Sequence, residues 1–592
     1  MAHKTLIRFA PALALLLAGA CAPTPPPARQ QAAAQQPAGI GVVSAADPRA
    51  AQAGVEILRM GGSATDAAIA TMLALNVVEP QNSGIGGGSF MVRHDARANT
   101  VSTIDGREAA PAAADPQWFF GPEGKPMPMR EAFMGGRAAG VPGNLRMMAL
   151  AHQRHGKLPW ATLFGPAIRM ARDGFTVSAR MHNGLNLYGR HVAGWAKDAF
   201  FTADGSAVAT GSLFRNPDQA TLFESIAAQG PDVFYTGPVA EKIVTALNTA
   251  ERNPSKMTTA DLAAYRAKDR PPICGTYRAY RICGMGPPSA GGISVLMILK
   301  QLERFDMAAL GRTSPVAWHL FAESSRLAYA DRGMYIADPD FVDVPVAGLL
   351  APAYLAQRSA LIAPDRSLAS VEPGKPAGAP PRTRAPFKDD PGTSDLAVVD
   401  GAGNVVQVTT TINGYFGSGV AVDGVMLNNE MPDFDAAPEK DGFLVVNRVE
   451  GGKRPRSSMA PTIVYGPDGK VRLAIGAAGG ATIIAQIAKA LIGVIDWNLT
   501  AQDAIAMGLV YAPGKTASIE EGTELETMLP ALQALGEDVR IAPLGLKANA
   551  VEYAGGRWIG AADPRSEGVA MDTQGNVTAI VRRSNELNGA HE

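Results

Sequence analysis

Gly392-Thr393-Ser394-Asp395-Leu396-Ala397-Val398-Val399-Asp400, then Gly401-Ala402-Gly403-Asn404, then Val405-Val406-Gln407-Val408-Thr409-Thr410-Thr411-Ile412, reads as two strands joined by a turn. Leu396 to Val399 is apolar, residues 401–404 carry turn chemistry, and Val405 to Ile412 alternates, which predicts a β-hairpin of a buried sheet. Residues 364–392 before it (PDRSLASVEPGKPAGAPPRTRAPFKDDPG) are long, polar and proline-rich, so they are expected to be exposed and mobile. Thr393 therefore opens a sheet strand directly after a flexible segment and a small glycine. If the Gly392–Thr393 bond is cut, Thr393 becomes an N-terminal residue. Its own α-amine, with a reference pKa of ~7.7–8.0, can then act as general base for its hydroxyl. The same hydroxyl can make the cut by attacking the Gly392 carbonyl. The plainer reading of the pattern is a threonine at a turn-to-strand junction.

Outward from the hairpin, helix and strand intermix. Residues 48–60 have helical spacing and stop at Gly61-Gly62, and Ser63-x-x-Asp66 is a capping box for a buried helix through about Asn76. Ser83-Gly84-Ile85-Gly86-Gly87-Gly88-Ser89-Phe90 follows that helix rather than a strand and lacks GxGxxG spacing. It reads as backbone pressed against a neighbour, not as a dinucleotide fingerprint. Residues 140–270 are mostly helical in pattern, and 315–334 is a strong helix. Further strands are expected at 443–447, 460–465 and 471–476, with a helix from Gly479-Gly480 to about Val494. The chain divides into two blocks, about 40–392 and 393–592.

Composition removes several function classes. Of 592 residues, 46% are hydrophobic and 18% charged, which excludes general disorder. Lys+Arg 54 against Asp+Glu 55 leaves a net charge of −1, with no electrostatic footprint for nucleic acid or a polybasic membrane contact. None of the 8 histidines lies between 320 and 590, and GxSxG and GxxxxGK[ST] are both absent. That disfavours an α/β-hydrolase triad and a P-loop, and leaves hydroxyl chemistry without histidine. His152 and His155 sit beside Arg154 and Lys157 as a solvated helix face, so no metal site is expected there.

The N-terminus reads as targeting. Lys4 and Arg8 precede an apolar run from Phe9 to Ala20 that is too short to span a bilayer. Leu17-Ala18-Gly19-Ala20-Cys21 resembles a lipoprotein signal with Cys21 lipidated, and ordinary cleavage near Ala20 or Ala22 is the alternative. Residues 1–20 are thus a signal peptide, and 21–39 a Pro/Gln-rich tether of an exported, periplasmic, membrane-anchored protein. Cys274 and Cys283 flank GTYRAYRI and are either a disulfide or two buried thiols. Without a CxxC pair a structural zinc site is disfavoured.

Ordered landmarks give these residues a family context: GGSATDAAIA (61–70), LNVVEPQNSGIGGGSFM (75–91), DGREAAP (105–111), GPPSAGGIS (286–294), GTSDLAVVD (392–400), LNNEMPDF (427–434), KRPRSSMAPTIV (453–464), GAAGG (476–480) and ADPRSEG (562–568). Over about 40–580 the chain resembles the gamma-glutamyltranspeptidases, which are N-terminal nucleophile hydrolases. The resemblance implies an α+β fold, a four-layer αββα sandwich. It implies a precursor cut at Gly392–Thr393 into a large subunit (40–392) and a small one (393–592) that stay together as a heterodimer. It assigns the nucleophile to Thr393, its orientation to Thr411, and the oxyanion hole to the backbone amides of Gly479 and Gly480. The α-carboxylate of a γ-glutamyl substrate would meet Arg107, Ser457 and Ser458, and its α-ammonium Asn413, Glu430 and Asp433. The implied substrates are glutathione or another γ-glutamyl amide, with water, an amino acid or a peptide as acceptor, and neither metal nor organic cofactor.

Asp395 departs from the His or aromatic-type residue of many relatives. The loop from Phe434 to Lys453 is shorter than in several bacterial relatives and holds no tyrosine. In the family this loop can act as a lid, so acceptor choice or acyl group can differ. Two alternatives follow: an amide acylase of the same fold taking a glutaryl or cephalosporin-type acyl group, and an unprocessed, inactive relative serving as a surface lipoprotein.

Overall fold

The hairpin at 394–411 forms two inner strands of a seven-stranded antiparallel sheet. In a computed structural model, residues 39–379, 381 and 392–577 are described. The expected signal segment, Cys21 and the tether up to residue 38 lie outside them. The first sheet runs Val569–Asp572, Val42–Ala45, Ser394–Val399, Val405–Thr411, Gly88–Asp95, Thr100–Gly106, Lys268–Arg270. A second, six-stranded sheet faces it, in the order Arg557–Ala562, Lys547–Ala554, Val471–Ala478, Thr462–Tyr465, Tyr280–Gly284, Ile273–Tyr277.

Strand periodicity explains the layering. Along Ser394–Val399, Leu396 and Val398 point to one side and Ala397 and Val399 to the other. The former join a core with helices Pro48–Arg59 and Ala64–Val78; the latter join the core between the sheets. Helices Gly291–Leu302 and Thr482–Ile495 cover the second sheet, and Pro315–Tyr335 packs over Gly291–Leu302. The result is the expected helix–sheet–sheet–helix sandwich.

Local signals held where the chemistry was local. Ser63 and Asp66 exchange both bonds of the capping box, at 3.1 and 2.9 Å, and the helix runs Ala64–Val78. Cys274 and Cys283 are cross-strand partners and are bonded to each other.

Three expectations change. The two blocks are not separate lobes, because both sheets draw strands from both sides of residue 392. The strand expected at 443–447 is reduced to Phe443–Leu444, paired with Glu439–Lys440; these residues are exposed, whereas Val445 and Val446 turn into the core. The strand expected from 460 starts at Thr462, after Pro461, which has no N–H for a ladder.

The front of the linker is anchored rather than free. Glu323 and Asp331 on helix Pro315–Tyr335 accept from the backbone N–H groups of Leu368 (2.8 Å) and Gly374 (2.7 Å). Arg358 Nη2 donates to the Glu372 carbonyl at 2.9 Å. Composition alone concealed this, because the partners lie on a helix far off in sequence. Residues 382–391 lie outside the described set.

Candidate active site

Thr393 is buried at the start of its strand, and its Oγ1 donates to Thr411 Oγ1 at 3.2 Å on the adjacent strand. Thr411 Oγ1 also accepts from Asn413 N at 2.7 Å, so it is held on two sides. Thr393 has φ +113, a conformation that a β-branched residue adopts only under constraint. Part of that constraint is next door. A Cβ on Gly392 would lie 1.7 Å from the Asn413 carbonyl oxygen, so only glycine fits before Thr393. Strain is thus concentrated at the Gly392–Thr393 junction.

The glycine run at 84–88 is pressed against the same strand. A Cβ on Gly87 would meet Thr411 O at 1.9 Å, and one on Gly86 would meet Met426 O at 2.1 Å. Asn428 ties this packing together, donating through Nδ2 to Gly86 O (2.8 Å) and Gly140 O (2.9 Å). The loop carrying Glu430 and Asp433 is thereby fixed against the sheet end that carries Thr411.

Beyond the two threonines lies a cavity of about 50 Å³, lined by Arg107, Asn413, Glu430, Asp433, Ser457 and Ser458. Arg107 is fully buried. Its Nη1 pairs with Glu430, and its Nη2 pairs with Asp433 Oδ2 at 2.6 Å and donates to the Arg456 carbonyl at 3.1 Å. Burial would lower its pKa, but the carboxylates of Glu430, Asp433 and Glu108 outweigh that and raise it. Burial also pushes Glu430 and Glu108 up, against the pull of Arg107. Asn413 Nδ2 donates to Asn429 O (3.0 Å) and reaches Asp433 Oδ1 at 3.3 Å. Ser457 Oγ accepts from Met459 N at 3.1 Å, and Ser458 Oγ accepts from Arg332 Nη2 at 2.6 Å.

Gly480 lines the cavity and Gly479 precedes it, both at positive φ (+59 and +117) at the end of strand Val471–Ala478. Their carbonyls accept from Ile483 N and Thr482 N at 3.2 Å each, which starts the following helix. Two consecutive N–H groups at a helix entrance are suited to developing negative charge on an oxygen.

Sequence reading missed two charged residues of this cavity, Arg332 and Arg456, beside the apolar Met459, Ala481 and Ile483. Both are buried, and neither is ion-paired to a carboxylate among the described residues. Burial, then the Arg456 guanidinium, pushes Arg332 down to about 10. Arg456 sits inside a quoted landmark (453–464), yet no local pattern marks an arginine as buried without a carboxylate partner.

A second missed group supports Thr393 from below. Ser394 Oγ donates to Glu79 Oε2 at 2.6 Å, and Lys547 Nζ donates to the same carboxylate at 2.8 and 3.0 Å. Burial would raise Glu79, but Lys547 and Arg180 hold it below the ordinary carboxylate range. Burial pushes Lys547 itself down to about 8.

Asp395 turns away from the cavity. It lies between the sheets, accepting from Gln407 Nε2 and Thr409 Oγ1, both at 2.7 Å, and a Cβ on Gly476 would come within 2.1 Å of it. Burial pushes its carboxyl well above the ordinary range, against those two hydrogen bonds. The folded state therefore keeps a proton that the unfolded chain has lost above ~3.9. Stability then falls by up to ~1.4 kcal/mol per pH unit as pH rises from there to the folded pKa. Asp395→Asn is expected to remove that slope, stabilising the protein more at pH 8 than at pH 4. Thermal unfolding of both proteins across pH checks this; equal stabilisation at both pH values would contradict a protonated Asp395.

Comparison with known proteins adds four findings. The family model described as Gamma-glutamyltranspeptidase matches residues 50–573. The chain is 36% identical over 579 residues to a "Glutathione hydrolase proenzyme" of Escherichia coli (strain K12), covering 94% of this chain and 97% of that protein. It is 34% identical to an "Acylase ACY 1 proenzyme" of Pseudomonas sp. (strain V22), covering 91% and 94%. Among solved structures, a cephalosporin acylase from Bacillus halodurans superposes with a TM-score of 0.79 at 26% identity, covering 92% of this chain and 97% of that one.

Proposed function

The chain belongs to the gamma-glutamyltranspeptidase family, and on that premise we propose that it is a self-processing enzyme that cleaves γ-glutamyl amides such as glutathione. The observation that carries this reading is one juxtaposition. The Thr393 hydroxyl, beside Thr411, opens onto a cavity with a buried arginine, two facing carboxylates and two serines. A γ-glutamyl head carries one carboxylate and one ammonium, and this cavity offers a partner for each.

In this reading Thr393 Oγ first attacks the Gly392 carbonyl, the C–O bond forming as the peptide C–N bond breaks and frees the Thr393 α-amine, and water then hydrolyses the resulting ester to the Gly392 carboxylate and the Thr393 hydroxyl. The cut leaves a large subunit ending at Gly392 and a small subunit starting at Thr393. The α-amine then takes the hydroxyl proton as Oγ attacks the substrate amide, with the Gly479 and Gly480 amides facing the oxyanion. The leaving nitrogen receives that proton, and water or an amine releases the acyl group. At about 50 Å³ the cavity holds a few waters. An amino-acid head group therefore needs the Arg107 ion pairs to part, its carboxylate replacing Glu430 and Asp433 on the guanidinium and its ammonium joining the released acids.

A second reading, a glutaryl-type amide acylase, is favoured by Arg332 and Arg456. Two buried guanidiniums without carboxylate partners suit an acyl group with a net negative charge, whereas a γ-glutamyl head is a zwitterion. The reading also includes export and an anchor at Cys21, supported by the signal pattern and the Cys274–Cys283 disulfide. One experiment separates these readings: hydrolysis of γ-glutamyl- and glutaryl-p-nitroanilide by membrane and soluble fractions of cells making wild type or Cys21→Ser. We expect at least ~10-fold preference for the γ-glutamyl compound, in the membrane fraction, moving to the soluble fraction in Cys21→Ser. A preference for glutaryl would install the acylase reading, and an unmoved Cys21→Ser would remove the anchor.

A further inference from the structure

The nucleophile and the oxyanion amides stand on different sheets. Thr393 opens strand Ser394–Val399 of the first, and Gly479-Gly480 follows strand Val471–Ala478 of the second. The apolar core between the sheets holds them together, but apolar contact has no direction and does not fix how far one sheet slides past the other. A misplacement of ~1 Å between reacting groups can cost ~100-fold in rate. Alignment of this site therefore needs a directional contact that spans the two sheets beside it.

Glu79 and Lys547 supply one. Glu79 ends helix Ala64–Val78 and is buried, as is Lys547 at the start of strand Lys547–Ala554. The Glu79 carboxylate accepts from Ser394, the residue after Thr393, on the first sheet and from Lys547 Nζ on the second. The loop after Glu79 also reaches the second threonine, since the Asn82 carbonyl accepts from Ile412 N, next to Thr411, at 3.1 Å. On the other side, Lys547 is the ladder partner of Ala478, immediately before Gly479. Its N–H donates to Gln486 Oε1 at 3.2 Å, and Gln486 Nε2 donates to the Ala478 carbonyl at 2.7 Å and to Thr482 Oγ1 at 2.9 Å. Thr482 Oγ1 in turn donates to the Gly479 carbonyl at 2.7 Å. A continuous run of buried contacts thus leads from Ser394 to Gly479. Stability alone does not call for ions here, because an apolar pair of similar size can hold two sheets as well. What a hydrogen-bonded ion pair adds is a fixed distance.

We propose that Glu79 and Lys547 are positioning residues for the reaction: their ion pair sets the gap between the Thr393 hydroxyl and the Gly479 and Gly480 amides, and with it the rate of acyl transfer rather than the affinity for substrate. This rests on the nucleophile and oxyanion assignments of the proposed function and names what aligns them. Neither residue lines the cavity beside Thr393, so neither takes part in binding. In the processed enzyme Glu79 belongs to the large subunit, while Ser394, Lys547 and Gln486 belong to the small one. The large subunit thereby clamps together the two strands on which the small subunit carries its reacting groups.

The test is steady-state hydrolysis of γ-glutamyl-p-nitroanilide by processed enzyme. Acylation and release of the acyl group use the same nucleophile and oxyanion contacts, so a misaligned site slows both and leaves KM in place. In Glu79→Gln/Lys547→Met, which removes both charges together and leaves neither unpaired, kcat should fall at least ~10-fold with KM within ~2-fold of wild type. Asn549→Ala is the control: it breaks another hydrogen bond between the sheets, from Nδ2 to Ser44 Oγ (2.9 Å), and should keep the wild-type kcat. Ser394→Ala cuts the run at its other end with the ion pair intact, and it decides the matter if the double variant does not mature; kcat should fall at least ~3-fold at unchanged KM. An unchanged kcat in either variant, a loss carried by KM, or an equal loss in Asn549→Ala would overturn the proposal while leaving the γ-glutamyl reading intact. If wild type does not cleave the anilide, the γ-glutamyl reading itself falls and takes this one with it.

Discussion

Thr393→Ala is expected to leave a single full-length chain and to reduce amide cleavage by at least ~10⁴-fold. Wild type should run as bands near ~40 and ~20 kDa, the smaller beginning Thr-Ser-Asp-Leu. The effect is double because the proposed mechanism gives one hydroxyl two jobs, cutting its own chain and later attacking substrate. The fold should survive. Among the described residues Thr393 makes one side-chain hydrogen bond, to Thr411, and alanine tolerates φ +113 no worse than a β-branched residue. Thr393→Ser, which keeps the oxygen, should retain both processing and activity in part. Normal processing in the alanine variant would refute the nucleophile assignment. A single wild-type band after prolonged incubation would instead support the inactive surface lipoprotein.

The second large effect is Arg107→Lys, expected to cost ~2–4 kcal/mol in kcat/KM for γ-glutamyl substrates, mostly through KM. Charge is conserved, so the loss isolates geometry. The guanidinium reaches Glu430, Asp433 and two backbone carbonyls, at Pro455 (3.1 Å) and Arg456 (3.1 Å), and a lysine ammonium cannot span that fork. Self-cleavage should persist, because Thr393, Thr411 and Gly480 are held by other contacts. Arg107→Ala is the poorer probe: it leaves buried carboxylates uncompensated, a destabilisation of ~3–5 kcal/mol that would blur binding with folding. Unchanged KM in Arg107→Lys would show that the substrate carboxylate goes elsewhere, with Arg332 and Arg456 the nearest alternatives.

Much of the fold was legible because its signals were local. The hairpin alternation, the Ser63–Asp66 box and the tightly packed glycines at 84–88 each depend on a few adjacent residues. The site was legible through its landmarks, and nine of the ten catalytic and substrate-binding candidates line one cavity; the tenth, Gly479, adjoins it. What stayed hidden was set by distant partners. Asp395 faces the second sheet only because Gly476 lacks a side chain there. Glu79 reaches Lys547 across most of the sequence. The anchoring of residues 364–379 depends on acids of a helix whose pattern showed only that it was a helix.

The interleaving of strands has a kinetic consequence. While the chain is intact, every strand of both sheets finds its neighbours within one molecule, so folding is first order. Once the bond before Thr393 is cut, the sandwich holds together through its ladders and the core between the sheets, yet any molecule that unfolds becomes two. Recovery is then a second-order encounter between fragments, neither of which carries all the strands of either large sheet. Dilution should therefore suppress refolding of the processed protein and leave that of Thr393→Ala untouched. The mature form lasts by unfolding slowly rather than by refolding well.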